Sequence, residues 1–226
     1  MIPIWSITNA IITGNTLILK PSERTPTASL VLAELAAEAG LPPGVLNIVH
    51  GGPPTVDFIL DHPDIKAISF IGGNKAGEYI YSRGSANGKR VQANLGAKNH
   101  GVLLADADES HALSAITGAA FGAAGQRCMA LTTLVTVGSA SNSLSAIVEH
   151  ARSLKVDGGF EATADIGPVI SRIAKERIEN TIRSAEAEGA KIALDGRKYR
   201  PTNIAFKNGY FVSNPGCIAG VAQEHY

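Results

Sequence analysis

Apolar and polar positions along the chain alternate in blocks that read as strand, turn, helix and strand again. The first apolar block, from Ile2 to Leu19, is broken by Trp5, Ser6, Thr8, Asn9, Thr13, Gly14, Asn15 and Thr16. Its end predicts a helix closing over residues 10–13, a Gly14-Asn15 turn, and a strand over 16–19 buried on both faces. Thr25-Pro26 then opens a helix, with threonine as N-cap and proline in the first helical position. Leu30, Ala33 and Ala37 with Val31 and Leu35 form its apolar stripe, and Gly40 ends it. With a strand over 45–49 this makes a βαβ unit, which predicts parallel strands joined by a right-handed crossover.

The pattern repeats without delay. A short helix over 55–61 leads to a strand over 66–70, the turn Gly72-Gly73-Asn74-Lys75-Ala76-Gly77 and a helix around 78–81. After the polar stretch 91–100 comes a strand over 101–104. Asp106-Ala107-Asp108 caps a helix from Glu109 that continues through the small residues Gly118-Ala119-Ala120-Phe121-Gly122-Ala123-Ala124. A strand over 131–137 follows, then an amphipathic helix over 143–154 with Leu144, Ile147, Val148, Ala151 and Leu154 on one face. In the next helix Ile170, Ala174, Ile178, Thr181 and Ala185 share a face until Gly189, before a strand over 191–194. From Tyr199 onward the sequence predicts no element. The class is α/β.

Three stretches carry candidate chemistry. Lys20 and Glu23 follow the first strand, where open α/β sheets bind ligands, so they suit a polar group such as a ribose; they also fit a solvated loop. Gly72 and Gly73 let a phosphate approach a helix N-terminus, although their spacing departs from the dinucleotide fingerprint and fits an ordinary tight turn. Gly125-Gln126-Arg127-Cys128-Met129-Ala130 places a thiol between a helix and a strand. Arg127 beside it would favour the nucleophilic thiolate, whereas the bland reading is a cysteine packed as a small hydrophobe.

Composition narrows the classes. With 20 basic and 20 acidic residues the formal charge is zero, which gives no electrostatic reason to expect nucleic acid or an anionic membrane as partner. The N-terminal apolar block is too polar for a membrane span and lacks the basic start and cleavage site of a signal peptide. Its lack of a surface-like lead-in suggests that the chain begins partway through a larger protein. Two cysteines, Cys128 and Cys217, are too few for a disulfide framework, so both are expected as free thiols in a reducing compartment. No metal site is expected.

Four ordered stretches resemble the aldehyde dehydrogenase superfamily. Gly14-Asn15-Thr16 with Leu19-Lys20-Pro21-Ser22-Glu23 resembles its ribose-binding strand end, and Ser69-Phe70-Ile71-Gly72-Gly73 to Gly77 its nucleotide-side glycine turn. Asn94-Leu95-Gly96-Ala97-Lys98 resembles its Glu-Leu-Gly-Gly-Lys segment, and Gly125-Gln126-Arg127-Cys128 its catalytic cysteine loop. Within the superfamily, 84–92, 96–101 and 121–131 are most similar to the CoA-acylating branch, the methylmalonate-semialdehyde dehydrogenases. The resemblance runs from the N-terminus to about Phe211 and covers the middle of a longer family member.

The resemblance implies an aldehyde dehydrogenase-like α/β fold: a partial Rossmann-type NAD-binding domain over 1–97, then a partial catalytic domain over 98–226 carrying the cysteine. It also implies that NAD is bound near Lys20, Glu23, Gly72 and Gly73, and that Cys128 attacks the aldehyde carbon to leave a thioester after hydride transfer. Hydrolytic members carry a glutamate at the position of Asn94 to activate water. An amide cannot take that proton at neutral pH, so the thioester would wait for the thiol of CoA; alternatively Asn94 only closes a loop by side-chain hydrogen bonds. In this branch the malonyl or methylmalonyl thioester loses carbon dioxide, and acetyl- or propionyl-CoA leaves. Arg127 would then be a counter-charge for the substrate carboxylate, or a structural ion-pair partner.

The resemblance further implies a homo-oligomer, small-molecule partners only, and a cytoplasmic or mitochondrial-matrix setting. Two departures stand out. Ser6 replaces the asparagine that many relatives use as a second oxyanion donor, and after Phe211 the family's nicotinamide-ribose segment is replaced by the divergent 216–226. The alternative to an enzyme is a truncated, non-catalytic remnant with at most partial nucleotide binding.

Overall fold

The computed structural model describes residues 2–197, 199, 201 and 203–212, together with the backbone of 219–220. Cys217 and most of the divergent segment 216–226 lie outside the described residues. The chain divides into two compact units, residues 1–96 and 97–226.

In the first unit, α1 (Ile2–Ile12) precedes β1 (Leu17–Leu19), α2 (Thr27–Glu38) and β2 (Leu46–Ile48). The strands β1 and β2 pair in parallel, with Leu17 opposite Leu46, as the βαβ pattern requires. Then come α3 (Pro53–Asp61), β3 (Ala67–Ile71), α4 (Asn74–Ala86) and β4 (Arg90–Asn94). The second ladder is also parallel and runs from Ala67 opposite Arg90 to Ile71 opposite Asn94. Its packing explains Gly84: a Cβ there would come within 2.8 Å of Val91 and 3.3 Å of Leu60.

Several expectations shift here. Strand β1 is not buried on both faces, because Ile18 is 44% exposed on a two-stranded ladder. Helix α2 starts at Thr27, with Pro26 in helical conformation at the cap and no capping side chain, so Thr25 is not the N-cap. Its stripe exists, but Leu30, Val31 and Leu35 are exposed. Gly40 does end the helix, in a left-handed conformation at φ +94°. Strand β4 escaped the periodicity because Arg90-Val91-Gln92-Ala93-Asn94 sets only two small apolar side chains inward.

The second unit begins with β5 (Asn99–Leu103), which starts two residues before the expected strand, followed by α5 (Glu109–Phe121) and β6 (Leu131–Thr136). Asp108 caps α5 as expected, its carboxylate accepting the His111 N–H at 2.7 Å. Next are α6 (Leu144–Ser153) and α7 (Arg172–Ala187), and a short antiparallel pair, β7 (Lys191–Ile192) with β8 (Ala219–Gly220). The main core joins Phe121, Ala124, Ala151, Val156, Ile166, Val169, Ala174 and Phe211. On α7 the expected face holds at Ala174, which is buried, and at Ile178 and Ala185, which are half-buried, but Ile182 takes the buried place expected of the exposed Thr181.

The largest correction concerns the small-residue run. Helix α5 stops at Phe121, and Gly122–Gly125 forms a tight turn in which Ala123 (φ 51°) and Ala124 (φ 55°) are left-handed. Alanine favours helix by propensity, but here burial of the Ala124 methyl in the core overrides it.

Candidate active site

Cys128 lies between this left-handed turn and β6, and its thiol is free and exposed, so it does not pack as a small hydrophobe. Three neighbouring side chains hold its loop. Asn99, the first residue of β5, donates from Nδ2 to the carbonyl oxygens of Cys128 at 2.8 Å and Ala130 at 2.9 Å. Gln126 accepts the Ile170 N–H at 3.0 Å and donates to the Ala123 carbonyl at 3.3 Å. Arg127 turns back to α5 and donates to the carbonyls of Gly118 at 2.5 Å and Ala119 at 2.8 Å.

The Arg127 arrangement follows from helix chemistry. The last carbonyls of a helix lack partners and carry partial negative charge, so a guanidinium there satisfies acceptors and opposes the dipole together. Gly122 must be small for the same reason, since a Cβ would meet the Arg127 Nη2 at 2.8 Å. No ion pair involves Arg127 among the described residues, so the structural salt bridge considered from sequence is not formed.

The other candidate residues lie in the first unit. Lys20 follows β1, and its ammonium donates to the carbonyls of Pro21 at 2.6 Å and Gly51 at 2.9 Å, leaving one of its three protons for another acceptor. Glu23 is exposed in the same loop. Gly72 and Gly73 follow β3, with the Gly72 N–H bonded to the Asn94 carbonyl at 3.1 Å. Gly72 is small because Phe70 occupies the space a Cβ would need, at 2.5 Å. Gly73 is the N-cap of α4, without a capping side chain, and the first turn of that helix carries Lys75 and no acid.

Asn94 ends β4, and its side chain is exposed and makes no hydrogen bond with the described residues of its unit. The side chain that closes this loop is Asn74, whose Oδ1 accepts the Gly96 N–H at 2.8 Å. Lys20 and Glu23 follow β1, Gly72 and Gly73 follow β3, and Asn94 ends β4, so each stands at the carboxyl end of a parallel strand, on two separate ladders. Asn74 and Asn99 carried no readable signal in the sequence, because their partners lie 22 to 31 residues away. Among the described residues no group of His, Cys, Asp and Glu is placed to hold a metal, and no helix is long and apolar enough to cross a membrane.

The model of the aldehyde dehydrogenase family matches residues 1–226. The chain is similar to the mitochondrial acylating methylmalonate-semialdehyde/malonate-semialdehyde dehydrogenases of Homo sapiens and Rattus norvegicus, each 55% identical over 221 residues. That alignment takes in 98% of this chain and 41% of each relative, so the chain spans about two fifths of their length. Among solved structures it is similar to methylmalonate-semialdehyde dehydrogenase from Oceanimonas doudoroffii, with TM-score 0.88 and 46% identity over 94% of this chain and 44% of that one. Betaine aldehyde dehydrogenase from Staphylococcus aureus in complex with NAD+ gives TM-score 0.82 and 33% identity over 92% and 42%. With the family model matched from end to end and the exposed cysteine in its loop, the chain belongs to the aldehyde dehydrogenase family.

Proposed function

We propose that the chain carries the central machinery of an NAD-dependent, CoA-acylating oxidation of malonate or methylmalonate semialdehyde. The observation that carries this reading is Asn94: an exposed, unengaged amide stands where hydrolytic relatives place a carboxylate base. The names of the similar relatives, which specify acylating semialdehyde dehydrogenases, support it.

Cys128 is the nucleophile. Its thiolate attacks the aldehyde carbon, and its own backbone N–H helps hold the oxyanion. NAD, when bound, supplies the acceptor for the aldehyde hydrogen as hydride. The N-terminus of α4, with Gly73, Lys75 and no acidic side chain, suits the cofactor's phosphates, and the remaining Lys20 proton with Glu23 suits a ribose. Loss of hydride leaves a thioester on Cys128. Asn94 has no basic lone pair with which to activate water, so the thiol of CoA displaces the acyl group and returns the cysteine. Arg127 holds the Gly118 and Ala119 carbonyls of α5 through Nη2, and its remaining N–H groups would oppose a substrate carboxylate. A homo-oligomer in the mitochondrial matrix, or in the cytoplasm, is the setting proposed for the activity.

The test mixes the purified chain with NAD, CoA and malonate semialdehyde and follows NADH absorbance. CoA-dependent turnover is expected. Absence of NADH together with absence of NAD binding by calorimetry would overturn catalysis by this chain as it stands, and turnover without CoA would overturn acyl transfer. A second reading, a non-catalytic form that binds nucleotide or associates with longer subunits, is favoured by exposed apolar side chains such as Ile12, Phe58 and Ile173. NAD binding without NADH formation would select it.

A further inference from the structure

We propose that Asn99 is the positioning residue for the Cys128 nucleophile. The inference rests on the reading of Cys128 just given. A carboxamide nitrogen has two protons, and Asn99 sends them to the carbonyls on either side of Met129, at 2.8 and 2.9 Å. Two bonds from one rigid planar group fix the path of the backbone from Cys128 to Ala130. They thereby fix where the sulfur stands and where the Cys128 N–H points.

A second, independent observation supports this role. The parallel pairing of β5 with β6 slips at this point: Asn99 faces Leu131 but His100 faces Thr133, so β6 holds one extra residue against the Asn99–His100 step. Such a bulge bends a strand and re-aims a side chain, and it occurs at strand ends beside functional loops. Here it lies where the Asn99 side chain leaves the ladder for the cysteine loop. Asn99 donates to backbone carbonyls of the loop rather than to the Cys128 sulfur, so its influence on chemistry passes through the loop.

The same bonds have an electrostatic effect. Carbonyl oxygens near a thiol oppose the thiolate, and two N–H dipoles placed on them offset that negative potential. Removing the donors therefore slows attack by the sulfur, and a carboxylate in their place slows it further. Arg127, bound to Gly118 and Ala119, is present in every variant and does not alter the order.

The test uses the full chain carrying Cys217→Ser, so that iodoacetamide reads Cys128 alone, and compares it with Asn99→Ala and Asn99→Asp. The alkylation rate of each is followed against pH, with the urea-unfolded parent as reference. Amide protection at Leu103 and Val135, whose N–H groups lie within the ladder, reports that β5 and β6 remain paired. The parent thiol is expected to react faster than the unfolded one. The alkylation rate near neutrality should fall from Asn99 to Ala to Asp, with Asn99→Asp about ten-fold slower. Identical profiles for all three folded forms, with a fast parent, would overturn the role of Asn99 alone. A parent thiol no faster than the unfolded reference would overturn both this role and the nucleophile reading.

Discussion

The carboxamide oxygen of Gln126 accepts the backbone N–H of Ile170 at 3.0 Å across 44 residues of sequence. The bond joins the residue two before Cys128 to the segment that leads into α7. Gln126→Ala removes that acceptor and the donor to Ala123 together. A loss of about 1 kcal/mol is expected, which corresponds to exchange of the Ile170 amide roughly five-fold faster. Hydrogen exchange read by mass spectrometry or NMR checks it, and protection along β5 should be unchanged.

The two left-handed alanines should respond in opposite directions. Ala123 is exposed, so Ala123→Gly relieves a left-handed conformation that costs about 1 kcal/mol and leaves stability equal or higher after the entropy of glycine is counted. Ala124 has its methyl in the core, so Ala124→Gly loses about 1 kcal/mol of burial against the same relief and should give the lower melting temperature of the pair. Thermal unfolding followed by circular dichroism compares them directly.

Arg127→Lys keeps a positive charge but loses the planar fork that reaches two carbonyls. Unfolding midpoints in urea should fall by the equivalent of about 1 kcal/mol. A midpoint equal to that of the parent would show that the Gly118 and Ala119 carbonyls do not depend on the guanidinium.

In the first unit, Arg83 donates to both carboxylate oxygens of Asp61, at 2.9 and 2.6 Å, and hydrogen bonding from Arg83 holds the Asp61 carboxyl below its ordinary value of 3.8. The same hydrogen bond, with one that Arg83 donates to the Tyr79 hydroxyl, raises Arg83 above the usual guanidinium range. A carboxyl depressed in the folded state adds stability above its unfolded value and loses it as pH falls through the folded one. Asp61→Asn should therefore melt lower than the parent at neutral pH, with the gap closing as pH drops below 3.8. A gap that stays constant with pH would deny the linkage.

Core repulsion offers a test without charge. Gly84→Ala puts a methyl 2.8 Å from the Val91 side chain and 3.3 Å from Leu60, inside the packing of α4 on β4. Despite alanine's better helix propensity, a net destabilisation of about 1–2 kcal/mol is expected. Calorimetric unfolding would show whether the first unit yields to accommodate it.

The parts of this molecule that could be read from sequence are those decided by neighbours in sequence. Asp108 announces its cap on α5 because its partner, His111, is three residues away. The parallel pairing of β1 with β2 follows from a helix of ordinary length between two short apolar runs. Cys128 and Asn94 stood out through the motifs around them. What escaped was decided at a distance: the end of α5 depends on Arg127 reaching back and on Ala124 being drawn into the core beside Phe211. The exposure of Leu30, Val31 and Leu35 depends on which surfaces cover α2, which no periodicity within α2 records.

One side chain described only by its surroundings supplies a practical instrument. Lys89 is 8% exposed, and its ammonium is held by the carbonyls of His62 at 2.5 Å and Ile65 at 2.7 Å. Amine reagents that reach the exposed Lys66, Lys75 and Lys98 at once can reach Lys89 only when that pocket of backbone opens. Its modification rate is therefore a clock for opening of the first unit, read at a single mass without any engineered probe.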